Sequence, residues 1–222
     1  KRQMWFGGGR ELPGIHSICV DPRSSKTIRL GVSCGGVWQT DDGGLTWSCR
    51  ADGMRAEFLP PEMESEPWQQ DPHLLVQSPF NPDRLWVQHH NGIFFSSDGS
   101  ASWQELHAKP SSFGFAVAVH PSEPDTAWFV PGIKDELRIP VDGKLVVTRT
   151  RDGGKTWQSL TNGLPQTHAY DLAYRHALTI DKTGNRLAFG TTTGNVYVTE
   201  DQGESWQTLS NSLPPVHAVR FI

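Results

Sequence analysis

The 222-residue chain carries a formal net charge of −4 and contains 22 glycines, 16 prolines and nine tryptophans. That balance offers no basic stripe for a nucleic-acid partner, and no apolar run approaches the roughly 20 residues of a membrane-spanning helix. Short apolar runs broken by Gly, Pro, Asn and Asp, with little helical periodicity, point to an all-β chain.

In chain order, residues 1–13 read as the tail of a preceding sheet. A first group of strands is expected at 15–20, 28–33, 37–40 and 46–50, with the turn Asp21-Pro22 between its first two members. Cys19, Cys34 and Cys49 fall in this stretch. An odd count without CxxC spacing reads as small buried thiols in a reducing, cytoplasmic setting. The segment Thr40-Asp41-Asp42-Gly43-Gly44-Leu45-Thr46-Trp47 closes the group's last hairpin.

That octet returns at 96–103, 150–157 and 199–206, always as S/T-x-D-x-G-x-S/T-W except that Ser100 stands in place of the glycine. The copies lie roughly 50 residues apart, the length of one small four-stranded sheet. In each, the aspartate (Asp42, Asp98, Asp152, Asp201) is expected to accept turn N–H bonds. The glycine permits a left-handed turn, and the tryptophan (Trp47, Trp103, Trp157, Trp206) begins the returning strand and packs between neighbouring sheets. The aspartates are thus read as structural, not catalytic.

The later groups share the same plan: 73–78, 84–89, 92–96 and 102–106; 114–120, 126–130, 144–148 and 156–160; then 176–180, 186–190, 195–199 and 205–209. Radially repeated four-stranded sheets make a β-propeller. The expectation is a single propeller domain over 1–222, with four complete blades at about 15–50, 73–106, 114–160 and 176–209. Residues 216–221 repeat the opening of a blade and read as a strand that closes a ring with missing N-terminal blades.

Because the octets lie in hairpins between third and fourth strands, the long connections 51–72 and 131–143 open on the opposite face. Long ordered loops on a rigid scaffold are where binding groups collect. That face gathers Arg55, Glu57, Glu62, Asp71 and His73, then His89, His90 and Asn91. It continues with Lys134, Asp135, Glu136, Arg138 and Asp142, and with His168, Tyr170, Asp171, Tyr174 and Arg175. The mixture suits a glycan or another small polar ligand, or a protein. His89-His90-Asn91 lacks a defined ligand spacing, and adjacent residues on a strand point to opposite sides, so no metal or other cofactor is assigned.

Four such octets on four-stranded repeats resemble the BNR/Asp-box superfamily, which includes sialidases, xyloglucanases, sortilin-type receptor domains and photosystem-assembly factors. More narrowly, the segments 13–22, Val87-Gln88-His89-His90-Asn91-Gly92 and His168-Ala169-Tyr170-Asp171-Leu172 are similar to bacterial proteins labelled BNR-repeat glycosyl hydrolase or exo-α-sialidase. The resemblance implies a seven-bladed propeller. It also implies, if catalytic, a glycoside hydrolase with an arginine triad, a tyrosine nucleophile with a glutamate base, and an aspartate. Leu137-Arg138-Ile139-Pro140 is similar to the first-arginine motif of sialidases. On that reading Arg138, Glu136, Tyr170 and Asp171 are candidate catalytic residues, with Arg55 and Arg175 as partner arginines. The first reading is a propeller that binds a glycan or another polar ligand on the long-loop face; the glycoside hydrolase and a protein-assembly scaffold are the alternatives.

Overall fold

The computed structural model describes residues 3, 5–7 and 11–222. The expected tail at 1–13 lies partly outside them. Among the described residues, sixteen strands form four antiparallel sheets, each a simple up-and-down meander. They are β1 to β4 (Ile15–Val20, Ile28–Val32, Gly36–Thr40, Ser48–Cys49) and β5 to β8 (Pro72–Gln77, Leu85–His89, Ile93–Ser96, Gln104–Leu106). The others are β9 to β12 (Gly114–Val119, Ala127–Pro131, Val147–Thr150, Gln158–Leu160) and β13 to β16 (Leu178–Ile180, Leu187–Gly190, Val196–Thr199, Gln207–Ser210). The chain divides into two compact units, Lys1–Leu106 and His107–Ile222, each holding two sheets.

In every octet the carboxylate ties the turn the same way. Asp42 Oδ1 accepts from the Thr40 hydroxyl at 2.7 Å and the Thr46 N–H at 2.9 Å, while Oδ2 accepts from the Thr46 hydroxyl at 2.6 Å. Asp98, Asp152 and Asp201 repeat these bonds with Ser96 and Ser102, Thr150 and Thr156, and Thr199 and Ser205. The first hydroxyl also accepts the N–H at the glycine position, including that of Ser100 at 3.0 Å. Ser100 itself adopts φ +72°, and its hydroxyl bonds Gln39 at 3.0 Å, so a side-chain contact anchors the strained turn.

The tryptophans divide into two kinds. Trp103 and Trp206 are buried, Trp103 with Val37, Met54, Leu75 and Phe94, Trp206 with Leu160, Leu164, Leu187 and Phe189. The backbone N–H of each bonds the loop leaving the preceding sheet, to Asp52 O and Asn162 O, both at 2.9 Å. Trp47 is 38% exposed and Trp157 half-buried, and their indoles donate to Gly44 O and Gly154 O of their own turns. The wedge between sheets is therefore made by the second octet of each unit. All four tryptophans also sit just before the returning strand, which begins one residue later, not at the ring itself.

Each unit adds a buried arginine to the same joint. Arg29 of β2 reaches Gln39, Gln77 and the Gly99 carbonyl, and Arg149 of β11 reaches Gln202 O and Glu204. Besides the returning strands, β11 and β13 begin two or three residues later than expected. Leu145 and Val146 are buried but off the ladder, because Leu145 N–H bonds Pro165 O in the next connection. The Ala177 N–H closes a turn on Tyr174 O, which delays β13 to Leu178. Beyond β16, Ala218 makes a parallel bridge to His176, and the Val219 N–H donates to His176 O.

Gly163, at φ +84°, would place a Cβ 1.9 Å from the Trp206 carbonyl oxygen, whereas Gly43 has nothing within 4 Å. Gly163→Ala should cost more than about 2 kcal/mol in a denaturant titration and Gly43→Ala about 1 kcal/mol; equal costs would contradict the close approach. The Thr156 hydroxyl and N–H hold the Asp152 carboxyl down to about 2 from the ordinary 3.8. A carboxylate depressed on folding stabilises above its unfolded value and loses that share as pH falls through the folded one. Thermal melts should therefore drop between about pH 4 and 2, with a smaller drop in Asp152→Asn.

Candidate functional site

In the first unit the side chains converge where β5 begins. The connection 51–72 is folded on itself: Gln70 Nε2 donates to Glu64 O at 2.8 Å and Glu66 O at 3.0 Å, and a short 3-10 turn spans Pro67–Gln69. It delivers Asp71 directly before β5. The pairing of β5 with β6 slips between Pro72 and Leu74, so His73 sits at a bulge, a device that re-aims a side chain.

Asp71 is held on almost every polar atom. Its Oδ1 accepts from the Ser33 hydroxyl at 2.8 Å and the Cys34 N–H at 3.1 Å. Its N–H donates to His89 Nε2 at 2.9 Å, and its carbonyl accepts from the His90 N–H at 3.0 Å. The remaining oxygen, Oδ2, faces His73 Nε2 at 3.6 Å and His90 Nδ1 at 3.4 Å. Burial alone pushes the Asp71 carboxyl upward, but the histidines around it win and hold it well below the usual carboxylate range. Burial drives fully enclosed His89 down to about 3, which keeps the ring neutral.

Strand alternation, which would send the adjacent histidines to opposite sides, does not govern this pair. His89 ends β6, while His90 lies past the strand in the turn, where strand alternation no longer applies, and both reach Asp71. Phe58, 39% exposed, lies edge-on over the His90 ring at 4.7 Å.

The other residues expected on this unit's face have different places. Asn91 donates to Arg55 O at 2.8 Å and accepts from the Glu57 N–H, bracing the connection. Arg55 makes a two-pronged contact with Glu105 at 2.7 and 3.0 Å and pairs with Glu57. Glu62 is exposed on the connection, outside this cluster.

In the second unit, Arg138 bonds the Asp135 carboxylate at 2.6 Å and carbonyl at 3.0 Å, and its Nη1 donates to the Tyr174 hydroxyl at 3.4 Å. The guanidinium groups of Arg138 and Arg175 lie over the Phe115 ring at 5.2 and 5.3 Å from its centre. Tyr174 packs on Phe115 at 4.9 Å and near His217 at 5.9 Å. Glu136 is exposed and paired with Lys134, and Tyr170 is 60% exposed. Asp171 is buried: its Oδ1 takes bonds from Thr191, Thr193 and the Asn195 amide at 2.9, 2.6 and 2.7 Å, fixing the turn between β14 and β15.

Phe115 escapes sequence reasoning because it opens a buried strand and carries no polar signal. Asp71 and His73 read as members of a long loop, and nothing in their spacing reveals the bulge that joins them. Among the described residues no helix is long and apolar enough to cross a membrane.

No protein-family model matches the chain, and no curated protein matches it. Solved structures do. An ancestral GH74 enzyme superposes over 89% of this chain with a TM-score of 0.66 at 16% identity. A GH74 xyloglucanase from Xanthomonas campestris superposes over 87% with a TM-score of 0.60 at 17% identity. YCF48 from Cyanidioschyzon merolae covers 65% with a TM-score of 0.45 at 22% identity. The chain spans only 24% and 29% of the two GH74 proteins' lengths. The molecule is all-β, with four four-stranded antiparallel sheets that form part of a β-propeller.

Asp171→Ala should leave three donors of the 191–195 turn unmatched and cost roughly 2–4 kcal/mol in urea unfolding. A cost under about 1 kcal/mol would contradict the anchoring role.

Proposed function

We propose that this chain is a BNR/Asp-box propeller of the sialidase-like kind that binds an acidic glycan on the long-loop face of its second unit. The supporting observation is the placement of Arg138 and Arg175 over one Phe115 ring, with the Tyr174 hydroxyl beside them. Guanidinium forks match carboxylates in two-pronged fashion, and the buried Phe115 ring beneath the two arginines fixes where they sit. Arg138 remains 43% exposed along its side chain, so an incoming carboxylate can exchange with Asp135.

Hydrolysis is the weaker reading. A glycosidase pairs two carboxyl groups across the scissile bond. Of the candidates, Asp171 is buried under three hydrogen bonds and Glu136 is drawn to Lys134. The fold likeness to GH74 enzymes is what keeps this reading in view, since folds host binding and catalysis alike. The bridge of Ala218 to His176 supports reading 216–221 as a ring-closing segment.

Calorimetric titration with sialylated and uronic-acid oligosaccharides should show binding to the full chain, weakened about tenfold or more in Arg138→Ala. Neutral oligosaccharides should bind more weakly, and fluorogenic sialosides should not turn over. Absence of binding across the acidic panel, or binding untouched by Arg138→Ala, would overturn the proposal.

A further inference from the structure

The cluster around Asp71 lies in the first unit and stands independently of the glycan reading. Asp71, His73 and His90 each offer one ligand-type atom, and these three atoms lie within 4.8 Å of one another. The carboxylate sits 3.6 and 3.4 Å from the two ring nitrogens. Those separations exceed a good N–H···O bond, which spans about 2.7–3.2 Å. Bonds of about 2.0–2.1 Å to one zinc ion place neighbouring ligand atoms about 3.3–3.4 Å apart, so the His90 separation matches the edge of a tetrahedron and the His73 one is a few tenths of an ångström longer.

We propose that Asp71, His73 and His90 form a binding site for a single divalent d-block cation of the zinc type, with the fourth position open to water or a ligand atom. Two imidazoles and one carboxylate are the donor set that zinc takes with an open coordination position. Hard cations such as Mg2+ and Ca2+ prefer all-oxygen shells, so the two imidazoles select against them.

The surroundings are built to hold the carboxylate in place. Ser33 and Cys34 bond Oδ1 and leave Oδ2 to face the histidines, and His89 fixes the Asp71 backbone N–H. Hydrogen bonds to the far oxygen of a ligating carboxylate orient it and sharpen metal affinity. His73 and Asp71 are almost fully enclosed, at 3% and 9% side-chain exposure, so two ligands are rigid before any ion arrives. His90 keeps 24% side-chain exposure, which provides the route in and the open fourth position. Phe58, edge-on to His90, forms an apolar margin beside that opening.

The experiment uses the full chain stripped of metal with chelator, then titrated with Zn2+ in a calorimeter and with Co2+ while the visible spectrum is recorded. The expected result is saturation at about one equivalent, a four-coordinate Co2+ spectrum and a thermal melt raised by Zn2+ but not by Mg2+. His90→Ala, at the partly exposed position, should keep the fold by circular dichroism and lose about 100-fold or more in Zn2+ affinity. His107→Ala, outside the cluster, should bind as the unaltered chain does. Failure of the unaltered chain to bind Zn2+, or Zn2+ affinity unchanged in His90→Ala, overturns the assignment. Because the glycan titration reads Arg138, its outcome leaves this one unaffected.

Discussion

The structure depends on a carboxylate that accepts three hydrogen bonds within a single turn. Isolated hairpins with short strands are marginal, and β4 has only two residues. The aspartate of each octet removes that weakness locally: it gathers two hydroxyls and one N–H, and the first hydroxyl closes the turn from the other side. The turn is thereby defined by bonds made within the octet itself. The tryptophan that ends the octet then emerges at a fixed place.

From that place the second octet of each unit binds its sheet to the one before. Trp103 and Trp206 bury their rings among side chains of both sheets, and their N–H groups take up carbonyls in the Asp52-Gly53 and Asn162-Gly163 corners. The glycines are required there because the tryptophan carbonyl approaches within a Cβ's reach. Arg29 and Arg149 complete the joint by bonding carbonyls of the octet turns at Gly99 and Gln202. A rigid pair of sheets results, and on its other face the connections can carry polar groups without loosening the core.

The repeat makes much of this readable from the residues alone. The octets and the four meanders emerge from spacing and turn chemistry, because those are local properties. Strand ends are less legible: the apolar run at Leu145-Val146 looks like strand, yet a bond to Pro165, distant in sequence, takes Leu145 off the ladder. The site is least legible. Asp71, His73 and His90 meet only because of a register slip in β5 and a turn after β6, and Asp171 looks like a catalytic carboxylate until its partners at 191–195 are seen. Long-range pairing, not residue type, decides which charged groups face solvent and which hold the fold.

Native-state hydrogen exchange at the backbone amides of Trp103 and Trp206 tests most directly whether the octet joins each sheet to its predecessor. Both amides donate across the joint at 2.9 Å. They should exchange only with global unfolding of their unit, at the slow limit set by the buried strands. Exchange as fast as that of frayed loop amides would show that the sheets stand without the joint.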